Sequence, residues 1–414
     1  MNRKGLFGRY EILKHIGEGS NGTVYKVRDM EQNNIRAVKV LAGYVEDKSS
    51  QKYGSFLKEY RRLAQLGNCV HPNIVNVHRV DLYNNQAYYE MDYVNGKTLR
   101  KFLVDNKFLP MDEVYHCIHD ILSATSYAHV DVHQFLYDRE KDEIPADPND
   151  GSKVNIDDNT RDRLVRSYGI VHNDIHSSNI MRNSYDGRYV LLDFGISLQG
   201  DDAVRKSGLG DGALEYMAPE KMLNDTVNFR TDVYSLGVVL YEVLTGNVPY
   251  LTTDENDHKR TRMEMYQIVT GGMIPNICTA RASAFASYHG EGVSYEKDYP
   301  DWLVRMILKC LEVNPEKRYA NAKEIFEEYQ KHMEHTLNDY NENLAKAQML
   351  DDAKEKLIKE QETVRSQSKE IETLKKENVS LKHLLGNNVK RAFAWTLVVI
   401  LAVAVAIIYF PLLS

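Results

Sequence analysis

One string of eight residues constrains everything downstream of it: Gly17-Glu18-Gly19-Ser20-Asn21-Gly22-Thr23-Val24. Its glycines lack a Cβ, so a strand, a tight turn and a second strand can close over phosphate groups and offer them backbone N–H donors. Taken alone, the string fits any glycine-rich hairpin. Three further features in a fixed order narrow the reading. Arg36-Ala37-Val38-Lys39-Val40 reads as a strand with one lysine among apolar neighbours, and a lysine there is costly unless it is paired. His172-Asn173-Asp174-Ile175-His176-Ser177-Ser178-Asn179 sets a carboxylate five residues ahead of an amide. Asp193-Phe194-Gly195 then follows Tyr189-Val190-Leu191-Leu192, which reads as a buried strand delivering a second carboxylate.

The 414 residues allow two or three structural units, and the composition shifts twice along them. Residues from about 8 to 333 mix strand-like and helix-like segments. Residues from about 338 to 388 are rich in Glu, Lys, Gln and Leu. From Ala392 to Leu413 no charge occurs. The net charge of -7 is mild, so no nucleic-acid partner is expected. Cys69, Cys117, Cys278 and Cys310 are scattered, without a C-x-x-C pair. That argues against zinc and a disulfide framework, and fits a reducing compartment. Met1 to Phe7 contains no long apolar run, so no signal peptide is expected.

The ordered strings resemble the ATP-binding and phosphoryl-transfer parts of protein kinases. The resemblance covers roughly residues 8 to 333. It implies an α+β, bilobal protein kinase fold, with a small β-rich N-lobe and a helical C-lobe. ATP and Mg²⁺ are the implied cofactors and a protein is the implied substrate. Ile16, Gly17, Glu18, Gly19, Ser20, Asn21, Gly22, Val24 and Ala37 would surround the nucleotide, with Val24 against adenine. Lys39 would hold the α- and β-phosphates, paired with Glu59 of the helical segment Phe56 to Leu66; Glu46 is the weaker candidate. In Tyr88-Tyr89-Glu90-Met91-Asp92-Tyr93-Val94, Met91 would be the gatekeeper, and the backbone of Asp92 and Val94 would bond the base edge. Asp174 would accept the substrate hydroxyl proton, and Asn179 and Asp193 would hold Mg²⁺.

Later segments carry the same resemblance. Gly212-Ala213-Leu214-Glu215-Tyr216-Met217-Ala218-Pro219-Glu220 looks like the end of an activation segment. Thr231 to Gly246 resembles the central helix of the large lobe. Arg318, in Asn314-Pro315-Glu316-Lys317-Arg318, is expected to pair with Glu220. Three positions depart from the family pattern. Asn173 stands where the family has the arginine that receives an activation-loop phosphate, so control by loop phosphorylation is not expected. Between Ile196 and Leu214 only Ser197 and Ser207 offer hydroxyls. His176 replaces a lysine that neutralises the γ-phosphate, a form also similar to small-molecule kinases of the aminoglycoside phosphotransferase type. Ala213 replaces a threonine that helps position substrate. A polar, acid-rich insertion is expected at about 131–166, read as a solvated loop.

Two elements are expected beyond the kinase-like region. Leu350, Leu357, Val364, Ile371, Asn378 and Leu385 repeat every seven residues, with Ala353, Glu360, Gln367, Leu374 and Leu381 three positions further on. This predicts a coiled coil over 338–388, and Asn378 at an a-type position favours a parallel homodimer. A single solvated stalk is the other reading. The nineteen residues Ala392 to Phe410 would rise about 28 Å as a helix, so a transmembrane helix is expected at 392–412. Lys390 and Arg391 precede it and no basic residue follows, which places the kinase-like domain on the cytoplasmic side of a single-pass, C-terminal anchor. The favoured function is thus a membrane-anchored serine/threonine protein kinase. A nucleotide-binding pseudokinase scaffold and a small-molecule kinase are the alternatives.

Overall fold

The computed structural model describes residues 6–19, 22–41, 71–132, 169–193, 198–199, 213–223, 226–254, 256, 258–290, 293–384 and 390–409. Ser20, Asn21, Glu46, Glu59 and most of the expected insertion lie outside these residues. The chain divides into two units, Met1–His332 and Met333–Ser414.

The first unit opens with strands β1 (Tyr10–Gly19), β2 (Gly22–Asp29), β3 (Asn34–Leu41), β4 (Val77–Tyr83) and β5 (Gln86–Asp92), which form one antiparallel sheet in the order β1-β2-β3-β5-β4. The alternation along β3 sorts its side chains. Val38 and Val40 join Tyr10, Val27 and Tyr88 in a buried cluster, against which Leu6, Phe7 and Tyr25 pack. Ala37 and Lys39, one step out of phase, belong to the opposite face. Glu90 is buried but satisfied: Tyr10 Oη donates to it at 2.6 Å and Arg36 Nε at 3.1 Å.

The same unit continues with β6 (Gly96–Thr98), α1 (Leu99–Asn106) and α2 (Met111–Ser126), then a π-type turn, Tyr127–Asp131. Strands β7 (Ile170–Val171), β8 (Ile180–Asn183), β9 (Tyr189–Leu191) and β10 (Leu198–Gln199) follow. They build a β6-β8-β9 sheet and a β7-β10 pair. After a short helix α3 (Pro219–Met222) comes α4 (Phe229–Thr245), in which every residue from Thr231 to Thr245 is buried. Its sequence is apolar on nearly all sides, as a helix in the centre of a lobe requires. Asn228 and Thr231 form a capping box at its start. At Gly237 a Cβ would come within 2.7 Å of Cys310 Cβ, so glycine lets helix α7 (Asp301–Cys310) lie against α4. Helices α5 (Arg262–Gly271) and α6 (Ile277–His289) precede α7.

Helix α8 (Ala322–Leu384) is one continuous element of 63 residues, beginning in the first unit and making up most of the second. Residues 338–384 of the expected coiled coil are therefore helical. The seam positions Leu350, Leu357, Val364 and Leu374 are exposed on the single chain. Helix α9 (Lys390–Tyr409) has 20 residues and starts with two cations. Among the described residues no helix is long and apolar enough to cross a membrane. The charge-free sequence run is longer than the helix and extends beyond Tyr409.

Candidate active site

The half expected to face phosphates is made of β1, β2 and β3. Gly19 pairs with Gly22 where the β1-β2 hairpin turns, and Gly17 lies opposite Val24. Gly22 has φ +146°, and a Cβ there would lie 2.1 Å from Val40 O, so only glycine lets the hairpin close onto β3. Val24 pairs with Lys39, which pairs in turn with Tyr89, while Ala37 pairs with Met91. Register thus brings the loop, lysine and gatekeeper positions onto neighbouring strands. Ile16 and Glu18 are exposed at the rim. The Asp92 N–H donates to Asn76 O at 2.9 Å, so a base edge could use only its carbonyl. The Asp92 carboxylate is engaged elsewhere, by Arg36 at 2.8 Å and His78 at 2.6 Å. Val94 is half-buried in the segment joining β5 to β6.

Lys39 is buried, and its Nζ donates to Asp193 Oδ1 at 2.6 Å. Sequence spacing set these two residues 154 positions apart, and the fold brings them into contact. Asp193 follows β9 with φ +53°. Two segments hold it in place. Leu191 N–H donates to Asn73 O at 2.8 Å, and Leu192 N–H donates to Asn179 O at 2.8 Å. Asn73 Nδ2 also donates to Tyr189 O at 2.9 Å. Sequence reasoning gives Asn73 no site role. Its signal was a side-chain amide directly after a proline, a pattern suited to bonding an extended backbone.

The catalytic-loop half is suspended from α4. Asp232, 1% exposed, accepts N–H bonds from His172 at 2.6 Å and Asn173 at 2.8 Å. It also accepts from His129 Nε2 at 3.0 Å, while His129 Nδ1 accepts from Ala322 N at 3.1 Å. The His172 ring donates from Nε2 to Leu192 O at 2.9 Å and accepts at Nδ1 from Asp174 N at 3.3 Å. Burial holds its pKa below the ordinary histidine value, in keeping with that neutral tautomer. Asn173 takes φ +64°, a conformation that asparagine tolerates better than most residues. Asp232 falls within the central-helix segment but has no site role in the sequence reading; an acid inside an apolar helix was the available signal.

Asp174 presents its carboxylate between Asn179 and His176. Asn179 Nδ2 donates to Asp174 O at 3.0 Å and Oδ2 at 3.3 Å. His176 Nε2 lies 3.6 Å from Asp174 Oδ2. Burial pushes the Asp174 pKa up, but the nearby His176 and Lys221 side chains outweigh it, leaving the group below the usual carboxylate range. Asp174 is therefore ionised at neutral pH and weakly basic. It is suited to orienting a hydroxyl and taking its proton late in transfer.

The donor set fits Mg²⁺. The nitrogen of the Asn179 amide is spent on Asp174, so its oxygen is the group that can face a cation, and the Asp193 carboxylate supplies a second hard donor. Among the described residues no three His, Cys, Asp or Glu side chains form a metal cluster of their own. Two protein oxygens completed by substrate phosphates and water is how Mg²⁺ is commonly bound.

The far wall is fixed by two buried networks. Arg318 Nη1 and Nη2 donate to Glu220 Oε1 and Oε2 at 2.8 and 3.0 Å, the pairing expected from sequence. Tyr216 Oη donates to Glu242 Oε2 at 2.6 Å, and Arg100 Nη1 donates to Glu242 Oε1 at 2.9 Å. Ser177 Oγ lies 2.8 Å from Tyr216 Oη, tying the catalytic loop to this wall.

A lysine–aspartate pair, a buried carboxylate anchor and a half-buried candidate base are the parts a nucleotide-dependent phosphotransferase would need. Residues 10–138 and 163–333 match the family described as protein kinase domain. A Clostridium acetobutylicum protein named a probable serine/threonine-protein kinase is 30% identical over 336 residues, 81% of this chain and 41% of that protein. The serine/threonine-protein kinase PknB of Mycobacterium leprae is 29% identical over 327 residues, covering 77% of this chain and 42% of its own length. PrkC of Bacillus subtilis, also a serine/threonine-protein kinase, is 28% identical over 250 residues, 60% of this chain and 32% of that protein. The chain belongs to the protein kinase family. It spans about two fifths of the length of the first two of these relatives.

Proposed function

We propose that this chain is an ATP- and Mg²⁺-dependent serine/threonine protein kinase. The observation that carries the reading is the joining of Lys39 to Asp193 at 2.6 Å beside a catalytic loop in which Asn179 bonds Asp174. Asp174 orients the acceptor hydroxyl and takes its proton. The acceptor oxygen bonds to the γ-phosphorus as the bond to the leaving ADP oxygen breaks. Lys39 steadies the α- and β-phosphates, and Asn179 and Asp193 are the residues that would hold Mg²⁺. When bound, that ion neutralises charge developing between the β- and γ-phosphates.

The test uses the purified full chain with γ-labelled ATP and Mg²⁺, a generic protein substrate, and Asp174→Asn as control. Label on phosphoserine or phosphothreonine that is absent from the control supports the reading. No label, with a nucleotide-induced rise in melting temperature, supports a scaffold instead. The observation favouring that second reading is the imidazole of His176, rather than an ammonium, 3.6 Å from the base.

Two finer features complete the proposal. The exposed heptad seam of α8 supports pairing with a second copy as a parallel coiled coil. Sedimentation of the full chain in detergent should give a dimer that polar substitutions at Leu374 and Leu381 dissociate; a monomer in both cases rejects it. The charge-free run after Arg391 supports membrane attachment with the kinase domain on the cytoplasmic side. Recovery of the full chain in a carbonate-washed membrane fraction, and its loss when residues 392–414 are removed, tests that attachment.

A further inference from the structure

We propose that Lys221 is a positioning residue for Asp174: an internal cation that fixes the catalytic loop and makes its geometry independent of phosphate on the activation segment. The inference rests on the kinase reading above. Lys221 follows Glu220 on α3, and its ammonium donates to the backbone carbonyl of Asn173. Lys221 is buried, with 8% of its surface exposed. A buried lysine is costly unless its charge is used. Here it faces two carboxylates, Asp174 and Asp232, with Arg262 the opposing cation.

The contact completes a two-sided grip on the residue preceding the base. The Asn173 N–H is held by Asp232 at 2.8 Å, from α4. The Asn173 carbonyl, which belongs to the peptide leading into Asp174, is held by Lys221 from the activation-segment side. The donor is itself anchored, because the neighbouring Glu220 is clamped by Arg318 at 2.8 and 3.0 Å. Asn173 has no charge with which to meet a phosphate. Lys221 supplies a donor to the same peptide from within the fold, so the peptide is set by the fold rather than by modification.

The test measures phosphoryl transfer by the full chain carrying Lys221→Met or Lys221→Arg, with MgADP affinity and melting temperature recorded for each. Lys221→Met should lower kcat about 10- to 100-fold, the loss of one charged hydrogen bond acting through Asp174, with KM for ATP changed less than about 3-fold. Lys221→Arg, which keeps the charge and the donor, should restore kcat to within about 5-fold of wild type. Phosphatase treatment, or Ser197→Ala with Ser207→Ala, should leave wild-type kcat within about 2-fold. Should Lys221→Met not fold, Lys221→Gln replaces it, and a wild-type kcat there overturns the proposal. A wild-type kcat in Lys221→Met overturns it too, as does a joint fall of kcat, nucleotide affinity and melting temperature in both Lys221→Met and Lys221→Arg. A wild-type chain that transfers no phosphate overturns the kinase reading and this inference together. An active wild type with an unaffected Lys221→Met overturns this inference alone.

Discussion

The two loops that meet at the candidate active site are built in opposite ways. The catalytic loop hangs from a buried carboxylate: Asp232 accepts from His172, Asn173 and His129, and all of those donors come from segments far from it in sequence. The glycine hairpin has no comparable anchor among its described residues. It is held by strand register, with irregularities between Ile12 and Lys14 and between His15 and Gly17, and its side chains at Ile16 and Glu18 are exposed. The candidate base is therefore set by the fold, whereas the glycine hairpin is expected to gain order in its backbone donors only when phosphates bind. Positioning depends on side chains in one loop and on their absence in the other.

The sharpest way to break the comparison is Asp174→Asn, which should lower kcat about 10³-fold while leaving nucleotide affinity and melting temperature near wild type. Equal losses of kcat and affinity would place Asp174 in binding rather than in transfer. Asp232→Ala should come next in effect. It strands three buried donors at once and should destabilise the fold by about 3–5 kcal/mol, read from urea unfolding. On the other loop, Gly22→Val meets Val40 O at close range, so it should raise KM for ATP about tenfold and change kcat less. If Gly22→Val lowers kcat alone, the hairpin does more than bind.

A pH experiment probes the segment that ties the two halves together. His71 accepts from Asn73 N at 3.2 Å through Nδ1, and burial holds its pKa down at about 4. Unfolded, it titrates near 6.5, so between those values the unfolded chain binds more protons than the folded one. Stability should therefore fall as pH drops from about 6.5 to about 4, by about 2–3 kcal/mol in all. His71→Gln should flatten that part of the pH–stability curve; an unchanged slope would assign the loss to other groups. The smallest effect is expected at His176. Replacing it with lysine, the residue the family pattern has there, should raise kcat about 3-fold by placing a full charge beside the transferred phosphate.

Much of the site was legible because its chemistry resides in short strings. Asp174 and Asn179 sit five residues apart in one string that resembles the family's catalytic loop, and the loop between them closes locally with Asn179 bonded to Asp174. The Glu220–Arg318 pair was legible through resemblance, although 98 positions separate its members. Asp232 and Asn73 were harder. Each acts on backbone groups, which every residue possesses, so nothing in the sequence of His172, Asn173 or Tyr189 marks them as partners. Lys221 was missed for the same reason: its acceptor is a carbonyl. The expected partner of Lys39, Glu59, lies outside the described residues, and the contact seen is with Asp193. The long helix was legible from its heptads. Pairing of that helix depends on a second chain, which a single sequence does not contain.

The most direct test of the account is amide hydrogen exchange across the two loops, with and without MgATP. The account predicts that the N–H groups of His172 and Asn173 are strongly protected in the free protein and change little on adding nucleotide, while those of Gly17 and Gly19 exchange quickly and become protected only when nucleotide binds. Fast exchange at His172 and Asn173 in the free protein, slowed by nucleotide to the same degree as the glycine loop, would contradict it.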